Sequence, residues 1–223
     1  MRLVPFIEGE YYHVFNRGVD KKIIFTDDSD RLRFILSLYG LNDDSGRPMR
    51  FDRLPDKSLA LVSRDGDVLV EIVAWCLMPT HFHLLLKEAQ KGGISTFLHR
   101  LQTSYALYFN TKYNRTGSLF GGTFKAILSA DDVQFTHASR YVHLNSLELF
   151  DPMWKERGYV EDKLGAEKFL KEYKWSSLPD YLGHKTGLSS IVDNKPIMEY
   201  FDNNIEDYWK FITDWSELSS CQS

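Results

Sequence analysis

Hydrophobic and polar positions divide the first ninety residues into strands and one helix. Residues 11–18 predict a strand that ends in a polar turn, and apolar positions at helical spacing predict a helix over residues 31–41. Residues 68–77 are rich in β-branched and aromatic side chains, which predicts a buried strand. A tight turn at residues 78–80 leads into a strand over residues 81–87, which we expect to run antiparallel to the one before it.

The pattern then changes to helical spacing. A helix is predicted from Gly92 to about residue 114, followed by a loop and strand over residues 118–128. Asp131-Asp132 offers N-cap residues to a second long helix that extends to about Leu149. The first six elements follow the order β-α-β-β-α-β, which predicts an α+β, ferredoxin-like (RRM-like) sandwich with an antiparallel sheet and helices on one face.

Two segments fall outside this pattern. Residues 42–67 are polar and punctuated by proline and glycine, which predicts an insertion or a long connection. A boundary is predicted near Asp151-Pro152, because the residues that follow it are helical and aromatic. We therefore expect a domain over residues 1–150 and a C-terminal helical extension over residues 151–223, whose role the sequence does not indicate.

Composition places the chain among ordinary globular proteins. It has 223 residues, of which 43% are hydrophobic and 26% are charged. The two cysteines, Cys76 and Cys221, suggest neither a disulfide framework nor a cysteine-based zinc site. The first residues lack an apolar signal core, and no apolar run reaches the length of a membrane span, so we expect a cytoplasmic protein without a membrane partner.

Charge is unevenly distributed along the chain. A net charge of −4 and a pI near 6.0 argue against binding nucleic acid through bulk charge. Residues 91–125 nevertheless contain no Asp or Glu, and their basic residues are Lys91, Arg100, Lys112, Arg115 and Lys125. Such a segment indicates phosphate contacts or, alternatively, a solvated helix face whose acidic partners come from elsewhere in the fold.

The sequence His81-Phe82-His83 is the first candidate for chemistry. Residues i and i+2 of a strand point to the same face, so the two imidazoles would lie side by side while Phe82 points into a core. Two neutral imidazoles on one strand are a good start for a divalent-metal site. The alternative is that both histidines are ordinary half-buried polar residues.

The helix after Asp131 carries the second candidate. His137, Tyr141 and Asn145 are spaced by four residues and share one helix face. An Asn amide oxygen can complete a site for a hard cation, and a phenol can act as a covalent nucleophile. Simple amphipathic packing is the alternative for this helix. Tyr105, on the basic helix, is the runner-up nucleophile, but only Tyr141 has an Asn one turn later.

Four motifs in this order resemble the HUH single-tyrosine transposases, in particular their REP-associated tyrosine transposase branch. The motifs are Tyr12-His13-Val14-Phe15-Asn16-Arg17, Met78-Pro79-Thr80-His81-Phe82-His83-Leu84-Leu85, Gly117-Ser118-Leu119-Phe120 and Tyr141-Val142-His143-Leu144-Asn145. The resemblance spans about residues 10–150, and Trp175-Ser176-Ser177 is similar to a short element further downstream in that branch. Each motif alone is a weak signal, whereas all of them in order are specific.

The resemblance implies a metal-dependent, single-stranded DNA transposase and endonuclease that nicks and rejoins DNA next to a REP-like hairpin. It implies Mg²⁺ or Mn²⁺ held by His81, His83 and Asn145, with Tyr141 as the nucleophile that forms a covalent 5′-phosphotyrosine intermediate. No nucleotide cofactor is implied, and the chain has no G-x-x-x-x-G-K-[ST] motif. A homodimer is common among such transposases, although the sequence itself does not show one.

Polar and basic residues complete the predicted site. DNA contacts are expected from Asn16, Arg17, Arg100, Lys112, Arg115 and Lys125. For Asn16 and Arg17 a structural turn is the alternative. Two positions depart from the family pattern: Thr123 stands where a basic residue is common, and Ser146 replaces a proline, which would let the tyrosine helix continue.

Two functions of other classes compete with this interpretation. A non-catalytic nucleic-acid-binding protein is compatible with the same fold, although the intact His81, His83, Tyr141 and Asn145 argue against lost chemistry. A metal-dependent hydrolase would use the two histidines with water as the nucleophile. That hydrolase would keep its activity in a Tyr141→Phe variant.

Overall fold

The computed structural model describes residues 5–46, 66–184 and 187–215. Most of the insertion predicted at residues 42–67 lies outside these ranges. Within them, no helix combines the length and the apolar character that crossing a bilayer requires.

Four strands form one antiparallel sheet. They are β1 (Tyr11–Arg17), β2 (Val70–Met78), β3 (His81–Glu88) and β4 (Lys125–Ser129). Their spatial order is β2-β3-β1-β4, and every neighbouring pair is antiparallel. The first strand therefore lies between the third and the fourth, and the predicted α+β fold with an antiparallel sheet is confirmed.

Two helices, α1 (Asp28–Gly40) and α2 (Gly93–Lys112), cover one face of the sheet. Helix α1 starts at a capping box, in which Asp27 accepts a hydrogen bond from the Asp30 backbone and Asp30 reaches back to the Asp27 backbone. Both helices bury their apolar faces in one core together with Phe82 of β3. This core lies on the side of β3 opposite to the two histidines.

Helix α3 (Asp132–Leu144) packs on the other face of the sheet. Phe135 and Val142 share a buried cluster with Leu85, which is on the same side of β3 as His81 and His83 because strand side chains alternate. Helices on one face of the sheet were predicted. That prediction concerned the two helices of the β-α-β-β-α-β pattern and is confirmed for α1 and α2, whereas α3, the seventh element, lies on the opposite face.

The end of α3 also differs from the prediction. The α-helix ends at Leu144, and residues 145–149 continue as a 3₁₀ helix instead of an α-helix to Leu149. Asn145 Nδ2 donates to the Tyr141 carbonyl, and Ser146 Oγ donates to the His143 carbonyl. Because these side chains compete for the last carbonyls, the absence of a proline at position 146 does not extend the α-helix.

The described residues after position 150 form helices, as predicted. Its helices are α4 (Trp154–Arg157), α5 (Lys163–Glu172), α6 (Leu178–Tyr181), α7 (Lys195–Met198) and α8 (Ile205–Ile212). Trp154, Leu170 and Tyr208 are buried in the same cluster as Val142 of α3. The domain boundary near residue 151 stays a prediction.

The Trp175-Ser176-Ser177 element lies along the free edge of β2. Ser176 forms a β-bridge with Cys76, the Leu77 amide donates to the Trp175 carbonyl, and the Ser177 amide donates to the Trp75 carbonyl, both at 2.9 Å. The extension thereby covers the edge of the sheet as well as the outer side of α3.

Candidate functional site

A pocket of about 460 Å³ opens beside the adjacent ends of β1 and β3. The C-terminal end of β1 pairs with the start of β3, where Arg17 faces His81 and Phe15 faces His83. Helix α3 and the 3₁₀ turn after it close the other side. The residues around the pocket include Asn16, Arg17, Lys21, His81, His83, Thr123, Lys125, Tyr141, Asn145, Glu148 and Lys155.

Both histidines of the H-x-H pair reach this pocket. Their ring centres are 5.0 Å apart, and each side chain is almost fully buried. Burial, and secondarily the nearby charges of Arg17 and Lys155, lowers the pKa of His81 to about 3. Burial likewise lowers the pKa of His83 well below its ordinary value. Both imidazoles are therefore neutral at pH 7, which is the form that binds metals.

The ring nitrogens of the pair differ in their partners. His81 Nδ1 lies 2.9 Å from Thr80 Oγ1 and 3.4 Å from a guanidinium nitrogen of Arg17. His83 Nδ1 lies 2.9 Å from His13 Nε2, whereas the buried His83 Nε2 has no hydrogen-bond partner in the described part of the chain. A buried nitrogen left unpaired costs free energy, and a bound cation would satisfy its lone pair.

The donor set fits a divalent cation with a mixed ligand shell. Across residues 5–46, 66–184 and 187–215, no group of three or more His, Cys, Asp or Glu has an arrangement that could hold a metal. A third protein ligand beside His81 and His83 would therefore be a residue of another type. Asn145 lines the same pocket and offers an amide oxygen.

Tyr141 and Asn145 are brought to the pocket by their spacing on α3. The ring of Tyr141 lies edge-on to His83, with ring centres 5.7 Å apart, and is half-buried. Asn145 is buried; its Nδ2 donates to the Tyr141 carbonyl at 2.6 Å, and its Oδ1 accepts from Lys155 Nζ at 3.1 Å. His137, one turn earlier, packs against Phe211 of the extension instead.

Tyr105, the runner-up nucleophile, lies in the core on the opposite face of the sheet. Its side chain is fully buried, and its hydroxyl donates to the Ile24 carbonyl. Its ring packs against Phe34, which in turn contacts Phe82. Burial raises the pKa of the Tyr105 phenol well above its ordinary value. The structure therefore separates Tyr105 from the histidines.

Three of the predicted DNA contacts line the pocket: Asn16, Arg17 and Lys125. Asn16 also has structural bonds, since its Nδ2 donates to the Gln102 side chain and to the Gly122 carbonyl, and its Oδ1 accepts from the Arg17 amide. Asn16 therefore has a structural role as well as a place in the pocket lining. Thr123, the departure from the family pattern, lines the pocket near Lys125.

The other predicted DNA contacts lie outside the pocket. Lys112 Nζ is 2.7 Å from carboxylate oxygens of both Asp27 and Asp30, so acidic partners from α1 and its cap neutralise it. Arg100 donates to the Asp43 carbonyl at 2.6 Å. The guanidinium of Arg115 lies over the Phe109 ring, 5.6 Å from its centre. Roles for these residues in DNA binding stay predictions.

Sequence reasoning missed two residues that contact the site. His13 stacks on His83. The sequence could have indicated this, because His13 and Phe15 are two residues apart and share the face of β1 that meets the histidines. No pattern in the sequence indicates that Lys155, in α4 of the extension, reaches the pocket. Its ammonium lies 3.4 Å from Glu148 Oε2 and 5.4 Å from the centre of the Tyr141 ring. Burial, with a smaller effect of Lys155, lowers the pKa of His13 to about 4.

Comparison with known proteins finds that part of the chain is similar to a family of transposases. Residues 62–145 match the family model of IS200-like transposases, and this stretch contains the H-x-H pair, Tyr141 and Asn145. This segment is therefore similar to the IS200-like, single-tyrosine transposases. The resemblance inferred from the motifs is therefore confirmed. No curated protein matches the chain.

The fold of the chain is similar to that of a solved structure described as a REP-associated tyrosine transposase bound to a REP hairpin. The two chains are 13% identical, with a TM-score of 0.50, over 84% of this chain and 88% of the other. Similarity at this level of identity concerns the fold alone. It extends beyond the segment matched by the family model, because 84% of the chain includes part of the extension.

Proposed function

We propose that this protein is a single-tyrosine transposase that nicks and rejoins single-stranded DNA next to a hairpin, through a covalent 5′-phosphotyrosine formed by Tyr141. We further propose that His81, His83 and Asn145 hold a divalent cation, Mg²⁺ or Mn²⁺. The observation that carries the proposal is the edge-on placement of Tyr141 against His83, whose buried Nε2 is unpaired in the described chain. The hairpin bound in the similar solved structure supports the choice of substrate.

The reaction is an exchange of one phosphodiester for another. The Tyr141 oxygen attacks a backbone phosphorus, so that a P–O bond to tyrosine forms while the P–O3′ bond breaks. The phenol loses a proton and the departing oxygen gains one, which leaves a free 3′-OH. Attack by the 3′-OH of another strand reverses the step. The bond energy is kept in the phosphotyrosine, so no nucleotide is needed.

Charged residues of the pocket suit a phosphate at this position. Arg17, Lys21, Lys125 and Lys155 line it, together with the acids Asp20 and Glu148. Fixed positive charges there would orient the DNA backbone and balance the negative charge that develops on the phosphate oxygens. A bound Mg²⁺ or Mn²⁺ would supply further polarisation of the phosphate.

A covalent adduct tests the proposal. The protein is incubated with end-labelled single-stranded hairpin DNA and MnCl₂ or MgCl₂, and the products are separated on a denaturing gel. We expect a protein–DNA adduct that requires the cation and is absent in Tyr141→Phe. Tyr105→Phe is the matched control and should retain the adduct.

The same gel distinguishes the competing functions. Cleavage without an adduct, retained in Tyr141→Phe, would indicate a hydrolase that uses water. DNA binding without cleavage by the native protein would indicate a non-catalytic binding module. A homodimer stays a prediction, which sedimentation velocity of the protein with and without the hairpin would test.

A further inference from the structure

His13 lies behind the H-x-H pair and contacts the candidate ligand and the candidate nucleophile. Its Nε2 is 2.9 Å from His83 Nδ1, and the two rings are stacked with centres 5.1 Å apart and planes 13° apart. The edge of the Tyr141 ring is also close, with ring centres 5.3 Å apart. Phe15 stacks on His13 and on His83 at 5.2 and 5.6 Å. His13 is thus confined by rings and bound through one nitrogen.

We propose that His13 is a positioning residue that holds His83 in the tautomer with its proton on Nδ1 and its lone pair on Nε2. The proposal deepens the proposed function, because this tautomer is the one that can bind a cation through the unpaired nitrogen. His13 would not itself touch the cation or the DNA.

The tautomer of His83 follows from the single proton that it shares with His13. Two neutral imidazoles that meet through one hydrogen bond must have a donor on one ring and an acceptor on the other. If His83 Nδ1 were the acceptor, its Nε2 would carry a hydrogen. That buried N–H would have no acceptor in the described part of the chain, and unpaired buried N–H groups are rare. If instead His83 Nδ1 donates to His13 Nε2, the unpaired His83 Nε2 carries a lone pair and no hydrogen.

A histidine in this position differs from the usual arrangement. Metal-bound histidines commonly donate their second N–H to a carboxylate or a carbonyl. A carboxylate here would add negative charge beside a pocket that must accept a phosphate. A neutral imidazole accepts the same hydrogen bond without that charge. His13 therefore orients His83 while it leaves the attraction between the pocket and DNA unchanged.

The tautomer can be measured without any metal or DNA. The full chain is labelled with ¹⁵N-histidine, and long-range ¹H–¹⁵N correlations of His83 are recorded at pH 7 with EDTA. The native protein should show the proton on Nδ1. His13→Gln, which places an amide oxygen near the position of Nε2, should retain this tautomer. His13→Phe, which keeps a ring against Phe15 but removes the acceptor, should lose it.

Two results would overturn the proposal at this stage. One is a native His83 with its proton on Nε2. The other is a folded His13→Phe variant with an unchanged His83 tautomer. If His13→Phe does not fold, the native spectrum still tests the proposal. A proton on His83 Nε2 in the native protein would be enough to refute it.

Metal affinity provides the second readout. Titration calorimetry with MnCl₂ should show binding weakened about 10–100-fold in His13→Phe, which is the usual effect of losing the partner of a metal-bound histidine. His13→Gln should remain closer to the native affinity, and Lys112→Met, which is outside the pocket, should match it. Equal Mn²⁺ affinity in the native protein and His13→Phe would refute the positioning role. A native protein that has the Nδ1–H tautomer but does not bind Mn²⁺ would refute the cation site of the proposed function instead.

Discussion

The two tyrosine-bearing helices lie on opposite faces of one sheet, and they differ in what surrounds the phenol. Tyr105 on α2 is enclosed by aromatic rings, and its hydroxyl is bonded to a backbone carbonyl. Tyr141 on α3 borders a polar pocket that it shares with His83 and Lys155. Helix α2 belongs to the basic segment, yet the phenol beside the histidines is on α3. The face of β3 that carries the histidines, and not the charge of the helix, selects the candidate nucleophile.

The helices also differ in what holds them. Helix α2 packs against α1, and Lys112 ties it to Asp27 and Asp30. Helix α3 is held from outside by the C-terminal extension: His143 lies 2.9 Å from both Tyr208 Oη and Ser177 Oγ, and Arg140 donates to the Asp214 carbonyl. A helix that carries a nucleophile needs a fixed position, and the extension provides it for α3.

Removal of each hydroxyl in turn tests which face of the sheet carries the nucleophile. Tyr141→Phe should reduce adduct formation about 10³-fold or more, because the bond-forming oxygen is lost, and should leave stability nearly unchanged. Tyr105→Phe should do the opposite: the adduct persists, while unfolding in urea becomes easier by about 1–3 kcal/mol because the Ile24 carbonyl loses its buried donor. An adduct that depends on Tyr105 would reverse the assignment of the two faces.

A pair of lysines gives the next largest effect. Lys155→Met should slow adduct formation about 10²-fold, since it removes a positive charge beside Tyr141. Lys112→Met should lower stability by about 1–3 kcal/mol, because the buried Asp30 carboxylate loses its cation. Single-turnover rates and urea unfolding measure the two effects. Equal rates in Lys155→Met and the native protein would show that the extension does not contribute to the site.

The smallest predicted effect concerns the contact between α3 and the extension. Burial lowers the pKa of His143 to about 3 in the folded protein, from about 6.5 when unfolded. Between those values only the unfolded chain binds the proton, so stability is full above about pH 6.5 and falls as the pH drops towards 3. The slope is at most about 1.4 kcal/mol per pH unit for this residue.

Urea unfolding at pH 7 and pH 5 measures that slope. His143→Gln should lower stability at pH 7 and reduce its dependence on pH, whereas replacement of the exposed His99 by Gln should leave stability at pH 7 unchanged. Part of the slope should remain in His143→Gln, because burial also lowers the pKa of His13, His81 and His83. A slope equal to that of the native protein would show that the α3 contact contributes little to the acid sensitivity.

Much of the site could be predicted from local periodicity. A period of two placed His81 and His83 on one side of β3 and Phe82 on the other, and both placements agree with the structure. A spacing of four placed Tyr141 and Asn145 on one face of α3. The helices on both faces were not predicted, because an amphipathic pattern shows that a helix buries one side but does not tell which face of a sheet it covers.

Local sequence patterns were enough to predict the resemblance to single-tyrosine transposases, the order of the strands and helices, and the pairs of site residues that are close in the chain. Alternation along a strand and the helical repeat set these features locally. Which tyrosine meets the histidines became clear only from the packing of the helices on the sheet. The same packing brings Asp27 and Asp30 to Lys112. It also brings His13 and Lys155 to the site. These contacts join residues from separate elements, and such contacts depend on how the sheet and helices pack rather than on any local pattern.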